Sequence, residues 1–153
     1  KQIIEKAKSL NKQLLLPSDM IIADKFENTA GIKALGFDKM TDEYSEWMGM
    51  DIGPETIKRY STEILSSNTI VWNGPMGVFE MDNFSKGTFG IAGALAEATK
   101  KGAVTIIGGG DSASAIAKAG LEKAVSHVST GGGASLEFLE GKKLPGVEAL
   151  TNK

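Results

Sequence analysis

The chain has 153 residues, 41% of them hydrophobic, a formal net charge of −2 and no cysteine, which is the size of one domain, or a piece of one, with enough apolar residues for a core. Disulfides and thiolate metal sites are excluded. No apolar run nears the ~18 residues of a membrane span, and the opening KQIIEKAKSL lacks the apolar centre of a signal peptide; together these fit a cytoplasmic protein without a membrane partner. Lysines are scattered with no basic block or aromatic platform, which argues against nucleic acid as a partner. Arg59 is the only arginine, so a bidentate clamp for a small phosphorylated acid is not expected within these residues.

Residues 1–10 place Ile3, Ile4, Ala7 and Leu10 on one helical face, with the lysines and Glu5 opposite. Gln13 to Leu16 reads as a short buried strand stopped by Pro17, and Met20 to Ala23 as a second. Residues 31–44 show no clean period and read as loop with one short helical turn. In WMGMDIGPETIKRY, Gly53, Pro54 and Glu55 mark a helix start. That helix buries Ile57, Ile64 and Leu65 with Tyr60 and ends near Asn68.

Thr69 to Trp72 is the next strand. A helix from about Ser85 to Lys101 offers Phe89, Ala92, Leu95 and Ala96 to a sheet and closes at Gly102. Two similar units follow. Val104 to Ile107, the triplet Gly108–Gly109–Gly110 and a helix opened by Asp111 and Ser112 form the first. Val125 to Ser129, the triplet Gly131–Gly132–Gly133 and a helix over Ala134 to Leu139 form the second, with LPGVEAL as a tail. This alternation of short apolar strands and helices predicts an α/β fold, a parallel sheet of about four strands covered on both faces.

In such a sheet both glycine triplets lie at the carboxyl edge, where ligands bind. Glycines admit a ligand close to the backbone, and a helix start offers free N–H groups to an anion. The alternative is that they only make tight turns. The loop NGPMGVFE, residues 73–80, also sits at that edge; Pro75 and Val78 offer apolar faces to a flat base, and Glu80 an acceptor for ribose hydroxyls. Its other reading is an irregular loop with an exposed acid. Asp111 is either the helix N-cap or a magnesium ligand. Ser112 is either a phosphate donor or a first-turn residue. His127, without a serine or cysteine partner motif, reads as a packed or edge residue. Trp72 and Trp47 read as core or rim aromatics, with Trp47 a candidate pocket wall. Neither a Walker A pattern nor GxGxxG occurs.

WMGMDIGPET, VWNGPMGVFE, IIGGGDSASA and HVSTGGGASLEFLEGKKLPGVEAL, in this order and spacing, resemble the carboxyl-terminal nucleotide-binding domain of the phosphoglycerate kinase family, from Gln13 onward. The resemblance implies a Rossmann-like three-layer α/β/α fold, present in part, and Mg²⁺-dependent phosphoryl transfer between ATP and 3-phosphoglycerate, giving ADP and 1,3-bisphosphoglycerate. It implies that Gly49 and Met50 line the adenine pocket, that Asn73, Pro75 and Val78 flank the nucleoside, and that Glu80 holds the ribose. Gly109, Gly110, Asp111 and Ser112 would form the phosphate loop, with Asp111 reaching magnesium. Thr130, Gly131 and Gly132 would face the phosphoryl group in transfer.

The same resemblance places triose phosphate binding in an amino-terminal lobe absent from residues 1–153. It also sets further strands between those matching Leu14 to Leu16 and Ile70 to Trp72. The 153 residues alone are then expected to lack kinase turnover, and the full-length protein to be a monomer. A non-catalytic nucleotide-binding module and a nicotinamide-dependent dehydrogenase domain are the rival readings; the second lacks its GxGxxG.

Overall fold

Breakers and apolar periodicity set the order of elements. Helix α1 (Gln2–Ser9) precedes strands β1 (Asp19–Ala23), β2 (Ile32–Gly36) and β3 (Met48–Ile52). Then come α2 (Pro54–Ser66), β4 (Thr69–Asn73), α3 (Lys86–Lys100), β5 (Val104–Gly108), α4 (Gly110–Lys118), β6 (His127–Ser129), α5 (Gly133–Leu139) and α6 (Pro145–Glu148). The structure is a computed structural model and describes residues 1–129, 131 and 133–150.

Strands β4, β5 and β6 form a parallel sheet in that order, with Thr69 level with Val104 and Asn73 level with Gly108 and Ser129. The crossovers run through α3 and α4, and successive right-handed crossovers stack both helices on one face. There Trp72 and Ile107 pack against Ile91, Ala92 and Leu95 of α3 and Ala115 and Ile116 of α4, with Ile52 and Phe79 closing the end. Alanines in both helices bring them close to the sheet, and each fully buried Ile or Leu contributes on the order of 1.5–3 kcal/mol. This is the predicted helix-flanked parallel sheet, with three strands in place of four.

The other face is less covered. Val71 and Val104 are 40% and 48% exposed. A cavity of about 430 Å³ separates Val71 and Ile106 from Leu136, Phe138 and Val147 of α5 and its tail.

Residues 19–52 depart most from expectation. β1 is central in an antiparallel sheet, β2-β1-β3, pairing Met20 with Leu35 on one side and with Ile52 on the other. The stretch 31–44 therefore holds a strand, β2, followed by two 3₁₀ turns at Phe37–Lys39 and Asp42–Tyr44. Ala23, Ala30, Met50 and Phe84 form a second small core beneath this sheet.

Gln13 to Leu16, expected as a buried strand, makes no ladder among the described residues, and Leu14 and Leu16 are exposed. A strand needs a paired neighbour. Here side chains of α2 hold the segment, with the Tyr60 hydroxyl donating to the Leu15 carbonyl at 3.1 Å and Arg59 to the Leu16 carbonyl at 3.3 Å. The amphipathic helix expected at the start forms as α1, with Ile3, Ile4 and Leu10 exposed.

Helix α2 shows how the two sheets are joined. Gly53 precedes Pro54 at its start, and no local side chain caps it. The Asp19 carboxylate does so from β1, accepting the Thr56 N–H at 2.8 Å, the Glu55 N–H at 3.0 Å and the Thr56 hydroxyl at 2.6 Å. Burial alone would raise this carboxyl, but the Thr56 and Glu55 donors outweigh it and hold it below its ordinary value.

Candidate functional site

The carboxyl ends of the three parallel strands lie side by side, since Asn73, Gly108 and Ser129 share one level of the register. Each opens into a loop read as binding from sequence: residues 73–80 after β4, the first glycine triplet after β5 and the second after β6. The strand ends that lead into the two glycine triplets are thus on one rim, one strand spacing apart.

Gly109 is the cap of α4, at φ 90°, and no side chain caps the helix. A left-handed backbone favours glycine, and a Cβ there would also stand 2.7 Å from the Asn73 amide oxygen. Gly110 and Asp111 form the first turn behind it, with the Asp111 side chain exposed. Asp111 is therefore not the N-cap, which corrects that reading: the cap position falls two residues earlier, where the turn demands glycine. Ser112 is buried, and its hydroxyl accepts the Gly74 N–H at 2.7 Å. It joins the β5 turn to the β4 loop and keeps its own proton to donate.

Among the described residues, no group of three or more His, Cys, Asp or Glu gathers to hold a metal. Asp111 stands at the rim as a single exposed carboxylate, and a magnesium ion bound through one carboxylate takes its other ligands from phosphate oxygens and water.

Gly49 and Met50 on β3 and Pro75 and Val78 of the loop all border one open pocket of about 370 Å³, walled further by Met20 and Phe37. Asn73 stands apart from it, against the β5 turn. Trp47 is not a wall of this pocket. It packs edge-on against Tyr44, with the Lys33 ammonium 5.4 Å from its ring centre. Phe37, in the 3₁₀ turn after β2, is the aromatic that lines it. Glu80 is exposed at the loop's far end. Gly131 is exposed, its N–H donating to the Ser129 hydroxyl at 3.3 Å, while Thr130 and Gly132 lie outside the described residues. His127 is an exposed residue on edge strand β6, and Trp72 is core.

Residues 76–80 are pinned almost one by one, by Met50 and by two residues that sequence reading missed, Thr88 and Lys118. The Thr88 hydroxyl, buried in the first turn of α3, accepts the N–H groups of Met76 and Gly77 at 3.1 and 3.2 Å. Val78 N–H donates to the Met50 carbonyl at 2.9 Å, tying the loop to β3. Lys118, in the last turn of α4, donates to the carbonyls of Phe79 and Glu80.

Asp51 is buried at the pocket floor and accepts the Gly87 N–H at 2.7 Å and the Ile52 N–H at 2.8 Å. A Cβ at Gly77 or Gly87 would collide with this carboxylate. Burial pushes the Asp51 carboxyl up to about 6, more than the Gly87 and Ile52 N–H groups lower it. Asp51 could have been suspected as an acid in an apolar, glycine-bounded stretch. Thr88 and Lys118 carry only the weak signal of a small polar first-turn residue and a basic last-turn residue.

The Gly109–Gly110 turn beside the pocket between β3 and the 74–80 loop fits a nucleotide, and comparison with known proteins agrees with the resemblance. The phosphoglycerate kinase family profile matches residues 1–142. Phosphoglycerate kinase of Chloroherpeton thalassium is 59% identical over 152 residues, 99% of this chain and 38% of the relative. That of Thermosipho africanus is 56% identical over 153 residues, again 38% of the relative. The solved phosphoglycerate kinase from Coxiella burnetii superposes over 96% of this chain and 36% of its own, with TM-score 0.88 and 44% identity. The Pyrococcus horikoshii enzyme does so over 95% and 34%, with TM-score 0.75 and 30% identity. The chain thus spans about 38% of the length of the curated relatives it matches. With the profile covering nearly its whole length, this chain belongs to the phosphoglycerate kinase family.

Proposed function

We propose that these residues form part of the nucleotide site of a kinase that moves a phosphoryl group reversibly between ATP and 3-phosphoglycerate. The observation that carries this reading is that β4, β5 and β6 end at one level, leading into the 74–80 loop and the two glycine triplets, next to the pocket between β3 and that loop. Adenine lies in the pocket bordered by Gly49 and Met50 of β3 and Pro75 and Val78 of the loop. Glu80 accepts from the ribose hydroxyls. Gly109 and Gly110 bring backbone close to the phosphates, with the uncapped N–H groups of α4 behind them. Asn73 fixes the turn at Gly109, and Ser112 ties that turn to the loop.

Asp111 would hold the magnesium ion that travels with the nucleotide, and that ion would supply neutralisation of phosphate charge. Thr130, Gly131 and Gly132 face the group in flight. With ATP as donor, the bond from the terminal phosphorus to the bridging oxygen breaks, ADP departs, and the phosphoryl group joins a carboxylate oxygen of 3-phosphoglycerate to give the acyl phosphate. The acceptor binds outside these residues, in an amino-terminal lobe, and the full-length protein is a cytoplasmic monomer. Among the described residues no helix is long and apolar enough to cross a membrane.

Calorimetric titration of the protein at its natural full length with MgADP and with NADH tests the reading. MgADP is expected to bind and NADH not. Glu80→Ala and Asp111→Ala are each expected to weaken MgADP about ten-fold, the loss of one charge-assisted contact. Unchanged affinity in both variants, or binding of NADH, refutes it.

A further inference from the structure

Helix α4 touches the candidate site at both ends. Its first turn is the glycine rim, and its last carries Lys118, about 12 Å further along the axis at 1.5 Å per residue. A lysine at a helix end ordinarily serves the helix's own last carbonyls. Here the ammonium leaves the helix and donates to the Phe79 carbonyl at 2.9 Å and the Glu80 carbonyl at 3.2 Å. It also lies 3.8 Å from the Asp82 carboxylate and 6.0 Å from the Phe89 ring centre. The Asp82 side chain is 87% exposed, so that ion pair is worth little. The grip on two successive carbonyls is the stronger tie, since a charged donor strengthens each bond. It holds the peptide from which the Glu80 side chain leaves, and Phe79 anchors the same peptide in the core.

We propose that Lys118 is a positioning residue: it locks the Glu80 backbone to the far end of the helix whose near end meets the phosphates. The ribose acceptor and the phosphate loop are thereby set on one rigid spacer. This rests on the reading of Glu80 as the ribose acceptor.

The test measures affinity for MgADP and for the magnesium complex of 2′,3′-dideoxy-ADP, which lacks the hydroxyls Glu80 would accept. The protein at its natural full length is compared with Glu80→Ala, Lys118→Met, Lys118→Arg and Asp82→Ala. Lys118 is 40% exposed, so its loss leaves the fold intact, and a thermal melt verifies that. Lys118→Met is expected to weaken MgADP about five-fold and the dideoxy nucleotide less than about two-fold, with Lys118→Arg restoring most of the loss. Asp82→Ala is expected to match the parent.

Equal losses for both nucleotides in Lys118→Met, no loss at all, or the same loss in Asp82→Ala overturns the proposal. Glu80→Ala separates the two readings. If it discriminates between the nucleotides while Lys118→Met does not, only the lysine's role falls. If Glu80→Ala fails to discriminate, the ribose assignment falls, and the lysine's role with it.

Discussion

Asp51 is a single carboxylate set where charge is costly, between the end of β3 and the start of α3, with two backbone N–H groups as its partners. Its folded pKa of about 6 lies above its ordinary 3.8, so the folded state holds the proton more tightly than the unfolded chain. The associated stability is fully present below the unfolded value and is lost as pH rises through the folded one. In Asp51→Asn this dependence vanishes, at the cost of one acceptor. The melting temperature of the parent minus that of Asp51→Asn is therefore expected to fall between about pH 4 and pH 7 and to level off above. A difference flat across that range would show that burial does not govern this carboxyl. Taking the difference also cancels Asp19, whose lowered pKa works in the opposite sense. Neither acid's role was legible in the sequence, because Asp19 acts on residues 36 and 37 positions away and Asp51 on one 36 away.

Among the elements, those bounded by local punctuation were readable. Val104 to Ile107 is β-branched and ends in glycines, and Pro54 marks the start of α2; both are where the sequence placed them. β2 and β3 were not readable. IKALG and MGMDI mix small and flexible residues with weak strand preference, and they become strands by pairing with β1. QLLL at 13–16 failed the other way: its composition is that of a strand, but among the described residues no ladder receives it.

The β5–α4 turn permits a direct separation of folding from binding. Gly109→Ala forces a side chain into a left-handed backbone and against Asn73, an expected loss of about 1–3 kcal/mol in urea unfolding. Gly110 is in helical backbone with nothing near its missing Cβ. Gly110→Ala is expected to leave the urea midpoint unchanged or raised, since alanine favours helix. Its methyl would stand where the phosphates approach, and MgADP affinity is expected to drop in the same protein. If Gly110→Ala binds as the parent does, the nucleotide does not approach the α4 turn.

At the scale of the molecule, the parallel sheet is open where β4 ends it. On its free side β4 has no strand among the described residues. An apolar cavity of about 290 Å³ lies there, walled by Leu15, Tyr60, Ile64, Ile70, Trp72 and Leu95. The buried Trp72 Nε1 has no hydrogen-bond partner among the described residues, and Leu14 to Leu16 runs unpaired on the far side. This is where the family resemblance sets further strands. An open apolar edge of this kind weakens an isolated sheet and invites association.

The proposed reaction also needs a means of holding the acceptor. Arg59 is the only guanidinium in the chain, and it reaches the Leu16 carbonyl from α2. In a reaction that depends on placing a carboxylate in line with a phosphoryl group, positioning supplies most of the catalysis. Residues 1–153 expressed alone are accordingly expected to bind MgADP weakly, through the rim and pocket they retain. In an assay coupled to consumption of 1,3-bisphosphoglycerate they are expected to show no turnover. Turnover at the rate of a full-length relative from these residues alone would mean that the acceptor is held within them, and the division of labour drawn here would be wrong.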